Sequence, residues 1–126
     1  MNAVILETGP DGKAVFRDEV IEFTEGSPQA MLSRLKPSRG SQFRMSPVGF
    51  RSQFHCTQAQ AVQWVVILGG QMEIGLQDGS SRVFNPGQFF YSGDTLPAGA
   101  VFDPTLHGHW SRQVGAEPLV TMFVRA

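Results

Sequence analysis

The stretch QWVVILGGQMEIGLQDGSSRVFNPGQFFY, residues 63–91, decides the fold. Within 71–77, Met72, Ile74 and Leu76 fall on one face while Glu73, Gly75 and Gln77 fall on the other. That period of two marks a strand with one buried face. The flanking apolar runs 63–68 and 88–91 have strand length, and 81–84 lies between. Gly69-Gly70, Asp78-Gly79 and Asn85-Pro86-Gly87 punctuate them as turns. The stretch therefore reads as four short strands joined by tight turns.

Working outward, 3–7, 14–17, 20–23, 42–45, 48–56, 110–114 and 119–124 read as further strands, with a turn at Pro10-Asp11-Gly12. The segment 30–35 is open: Ser27-Pro28 is suited to starting a short helix, while Met31, Ser33 and Leu35 alternate as in a strand. In 48–56, Val48, Phe50, Ser52, Phe54 and Cys56 share a face, and Arg51, Gln53 and His55 share the other. That second face is either solvated or turned into a polar interior. Nowhere is a 3.6-residue period sustained. Closely spaced short strands are the signature of an all-β sandwich or barrel.

With 126 residues the chain makes one domain, 1–126, divided into N-terminal edge strands (1–45) and a barrel core (46–126). A content of 41% hydrophobic and 17% charged residues suits a packed core. The net charge of −1, with no basic stripe, argues against nucleic acid as partner. Cys56 is the single cysteine, which excludes an internal disulfide framework and any CxxC zinc or redox motif. The first ten residues lack the charged and long apolar regions of a signal peptide, and no run approaches the roughly 20 apolar residues of a membrane helix. The expectation is a soluble cytoplasmic protein without a membrane partner.

From Gly49 to Gly99 the chain resembles a cupin. Gly49 is followed after five residues by His55, and Gln63 after six by Gly70, which keeps the frame of the first cupin motif. Thr57 stands at the second His of that motif and Gln63 at its Glu. Gly87 and Pro97-Ala98-Gly99 echo the second motif with a longer gap, and its His falls at His107 or His109. Phe54-His55, Leu68-Gly69-Gly70, Asp94-Thr95 and Gly108-His109-Trp110-Ser111-Arg112 are similar to a group of small single-domain cupins.

The resemblance implies a double-stranded β-helix, or jelly roll, of two antiparallel sheets with a small-molecule site in the barrel mouth. It implies a divalent metal (Fe, Mn, Ni or Zn) held by His55, Gln63 and His109 or His107, with Asp94 or water completing the set. Imidazole and carboxylate-type oxygen suit those ions. It also implies a homodimer. Arg51 and Gln53, on the face of His55, are the expected ligand-binding polar groups, Arg51 through a carboxylate or similar anion. Tyr91 and Phe102 are expected to wall an apolar pocket, Trp110 to pack in the core, and 93–106 to act as a lid or a passive loop. Two functions follow: a metal-dependent oxygenase, isomerase or decarboxylase on a small polar metabolite, or a non-catalytic cupin that binds or senses a small molecule. No Ser/His/Asp order, phosphate loop or paired carboxylates point elsewhere.

Overall fold

The computed structural model describes residues 1–126, and the chain is all-β apart from one short 3-10 turn. Its strands are β1 (Asn2–Thr8), β2 (Ala14–Val20), β3 (Glu25–Ser27), β4 (Ala30–Leu32), β5 (Ser41–Ser46), β6 (Gln63–Gly69), β7 (Gln71–Gly75), β8 (Ser81–Phe84), β9 (Phe89–Gly93), β10 (Trp110–Val114) and β11 (Leu119–Arg125). Six form a mixed sheet in the order β2-β1-β9-β6-β11-β5, and three form a second sheet in the order β10-β7-β8. The sheets do not close into a barrel. No helix is long and apolar enough to cross a membrane.

The alternation in 71–77 translates directly into the core. Met72, Ile74 and Leu76 of the small sheet meet Leu6, Val65, Ile67, Phe90 and Leu119 of the large one. Each such side chain contributes about 1.5–3 kcal/mol through burial. β7 ends at Gly75 because the Leu76 N–H turns to the Ser80 carbonyl (2.9 Å) and closes the turn at Asp78-Gly79. Gly75 lies opposite Trp110, and a Cβ there would sit 1.9 Å from the indole. The missing side chain is what lets the half-buried Trp110 cover β7.

The segments 14–17 and 20–23 do not form two strands; β2 runs unbroken to Val20, paired residue for residue with β1. The charged stretch that looked like a break is tied down by Arg17–Glu7 (2.6 Å) and Arg82–Asp18 (3.0 Å). In 30–35 the strand alternative holds over Ala30–Leu32, in an exposed hairpin with β3. β2 and β5 are the edges of the large sheet, whereas β1 lies inside it with Leu6 fully buried.

The segment 48–56 is not a continuous strand. It follows β10 through isolated bridges, Arg51 opposite Arg112 and His55 opposite His109. Four steps along one segment therefore match three along the other. One extra residue in a ladder re-aims the side chains beyond it. Arg51 and His55, expected on one face, end on opposite faces.

Candidate functional site: a cavity between the sheets

The inward positions nearest the start of β10 enclose a cavity of about 280 Å³. This is the lower end of the roughly 300–1,000 Å³ typical of ligand pockets. Its floor is apolar, made by Val65, Met72, Ile74 and Phe90. Its upper wall is polar, with His55, His109, Arg44, Gln63, Ser92 and Ser111.

His109 lies one residue before β10, after Gly108 at φ +86°. A Cβ on Gly108 would meet the His55 carbonyl oxygen at 2.6 Å, so the close bridge between His55 and His109 depends on glycine here. The backbones exchange two hydrogen bonds (2.9 and 3.0 Å), which brings the two imidazoles to 4.6 Å between ring centres. His109 Nδ1 is 2.9 Å from Asp94 Oδ2, and both side chains are almost completely buried. Asp94 Oδ1 accepts from the Thr8 hydroxyl (2.7 Å). With both carboxylate oxygens used, Asp94 fixes the ring and leaves His109 Nε2 as the outward nitrogen.

His55 is held in the same sense. Its Nδ1 is 2.9 Å from the Gln53 carbonyl, which only accepts, so Nδ1 carries the proton and Nε2 is left free in the neutral ring. Part of His55 stays open to solvent, but the side facing the protein is dehydrated. That burial lowers its pKa from the ordinary 6.5, against the Gln53 bond and the Asp94 charge, with His109 and Arg44 adding to the lowering.

Arg44 projects inward from β5 and stacks on the rings of Phe50 (5.5 Å) and Phe123 (4.9 Å). Its Nε and Nη2 are buried without a hydrogen-bond partner. Burial lowers its pKa from the usual guanidinium value, yet arginine stays charged at any ordinary pH. Directly opposite on β11 is Thr121, fully buried, whose hydroxyl is also unpartnered. Gln63 lines the same cavity, but its Oε1 accepts from Arg125 Nε (3.1 Å).

The structure thus brings together His55, His109 and Gln63 and places the other expected residues elsewhere. His107 is buried outside the cavity, its Nδ1 accepting the Asp103 N–H (3.0 Å) and its ring near Phe102. Gly108 breaks the strand geometry that would have aimed His107 and His109 alike. Arg51, Gln53 and Phe102 line a separate outer groove of about 810 Å³ with Phe54 and Trp110. Tyr91 packs on Trp64 on the outer face of the large sheet. The loop 93–106 is anchored at its end by Gln77, which donates to the carbonyls of Pro104 (2.8 Å) and His107 (3.1 Å). Asp94 lies behind His109, with its Oδ2 on the ring Nδ1.

Sequence reasoning missed Arg44. The signal was present in Gln42-Phe43-Arg44-Met45-Ser46, but the apolar members were the natural candidates for the inside. The strand is inverted: Phe43 and Met45 are 71% and 72% exposed, while Arg44 points in.

These donors do not fit a divalent metal well. No group of three His, Cys, Asp or Glu side chains converges anywhere in the structure. The amide oxygen of Gln63 is shared with a cation, and the guanidinium of Arg44 stands in the same wall. Neither a family profile nor a curated protein matches the chain.

Proposed function

We propose that the chain is a cupin-type small-molecule-binding protein whose ligand occupies the cavity between its sheets. The observation behind this is the pair of adjacent imidazoles, each anchored through Nδ1 and each offering Nε2 over an apolar floor. Few, fixed polar groups above an apolar pocket are what orient a small ligand. Binding rather than metal chemistry is the function that this donor set supports, since a cation in the wall opposes a second cation beside it.

The metal-dependent enzyme implied by the cupin resemblance rests on the same imidazole pair. Elemental analysis of untagged protein separates the two. Metal near one equivalent that disappears in His55→Ala would replace the binding reading with the metalloenzyme one. For the binding reading, a thermal-shift screen of small metabolites is expected to give stabilising compounds whose effect is lost in His109→Ala. A screen with no hit would count against it.

A homodimer belongs to the same proposal. Phe43, Met45 and Leu68 expose apolar surface on the outer face of the large sheet, and β5 is an unpaired edge. Sedimentation of the wild type against Phe43→Lys tests it, with a dimer expected only for the wild type.

A further inference from the structure

We infer that the ligand of this cavity is a small carboxylate, and that Arg44 is the group that receives its charged end. The inference rests on the binding reading above and adds the chemical class to it.

The cavity wall contains one permanently cationic side chain, Arg44, and no carboxylate. Asp94, the nearest acid, is buried behind His109 with each oxygen already bonded. Arg44 thus draws an anion toward its wall of the cavity, against the charge of Asp94 that His55 feels. The unpartnered atoms of Arg44 are also a matched pair. Nε and Nη2 form one edge of the guanidinium fork, the edge that pairs with the two oxygens of a carboxylate. Thr121, its cross-strand neighbour, is fully buried beside it and is not part of the cavity lining.

Buried donors without partners are rare in folded proteins, and two on one guanidinium call for an explanation. Arg44 is held by its stacking on Phe50 and Phe123 and by no hydrogen bond. A rotamer change toward the cavity breaks no bond and gains two, so the fork is free to turn onto an arriving carboxylate. His55 and His109, each tied through Nδ1, leave Nε2 for a polar group on the same ligand. Val65, Met72, Ile74 and Phe90 cover its apolar body. At about 280 Å³ the space suits one small acid rather than a nucleotide or a peptide.

The test compares acids with their own neutral amides at constant ionic strength: acetate with acetamide, isobutyrate with isobutyramide, benzoate with benzamide. Binding is followed by NMR shifts of the Arg44 side-chain Nε–H and of the backbone amides of Ser92 and Ser111. At least one acid is expected to bind tenfold or more tightly than its amide and to shift the Arg44 Nε–H. Arg44→Gln should abolish that preference, bringing the affinity for the acid down to that for its amide, and Arg44→Lys should keep part of it. Acids and amides that bind equally well would overturn the carboxylate assignment and leave the cavity reading standing. Failure of every pair to perturb the cavity residues of the wild type would overturn both. If Arg44→Gln does not fold, the wild-type comparison alone still decides.

Discussion

β7 and β5 are both short strands with alternating side chains, and they use that alternation in opposite ways. In β7 the apolar set faces the core, with Met72 and Ile74 buried, while Glu73 accepts from Ser81 and Arg112 at the surface. In β5 the apolar Phe43 and Met45 face outward and the charged Arg44 faces the interior. The first arrangement lowers the free energy of folding at every position. The second costs on both faces, by exposing apolar surface and by burying unpartnered donors. A chain keeps such an arrangement where something outside the fold repays it. Under the proposed function a ligand would offset the cost inside and a second copy of the chain the cost outside.

The largest expected effect tests the β7 side. Ile74→Ala should destabilise the fold by about 2–5 kcal/mol in chemical denaturation, because it leaves a hole in a well-packed core. A loss under about 1 kcal/mol would mean that β7 is not the centre of the core. Asp94→Asn should cost about 1.5–3 kcal/mol, since it weakens charge-assisted bonds to His109 and Thr8 in a buried place. It should also loosen the His109 ring, visible as broadened imidazole signals.

The substitution that sharpens the comparison most is Arg44→Met. In most strands, loss of an inward residue destabilises. Here the isolated protein should gain about 1–3 kcal/mol, because a buried unpartnered cation is replaced by an apolar chain. The gain should come with loss of acid binding, a trade of function for stability. Destabilisation by Arg44→Met would place Arg44 with the ordinary structural residues of β7.

The smallest effect concerns His55. Burial holds its folded-state pKa below the ordinary 6.5. The folded protein therefore binds fewer protons there than the unfolded chain. The associated stability is complete above about pH 6.5 and is lost as the pH falls through the folded value. Histidine NMR titration should give His55 a midpoint below 6.5. A midpoint at or above it would mean that the ring is solvated rather than packed on His109.

Where local rules and tertiary needs agree, the sequence is readable. The alternation of 71–77 and the turns at Gly69-Gly70, Asp78-Gly79 and Asn85-Pro86-Gly87 delimit β6 to β9 within one or two residues. His55 and His109 stood out because imidazoles are scarce and the spacing around them is distinctive. The rest depended on single-residue events that no periodicity carries. One extra residue between Arg51 and His55 sends Arg51 and Gln53 to one side and His55 to the other, and Gly108 separates His107 from His109. Arg44 was hidden for the opposite reason: its strand obeys a period of two with the polar set inside, and period alone does not say which face is the core.

What Arg44 does when an acid is present is addressed most directly by a crystal structure of the wild type grown with benzoate. The predicted result is a carboxylate between the sheets, with Arg44 Nε and Nη2 about 2.7–2.9 Å from its two oxygens and the ring over Val65 and Phe90. Arg44 unmoved on Phe50 and Phe123, beside a cavity that holds only water or a metal on His55 and His109, would contradict it.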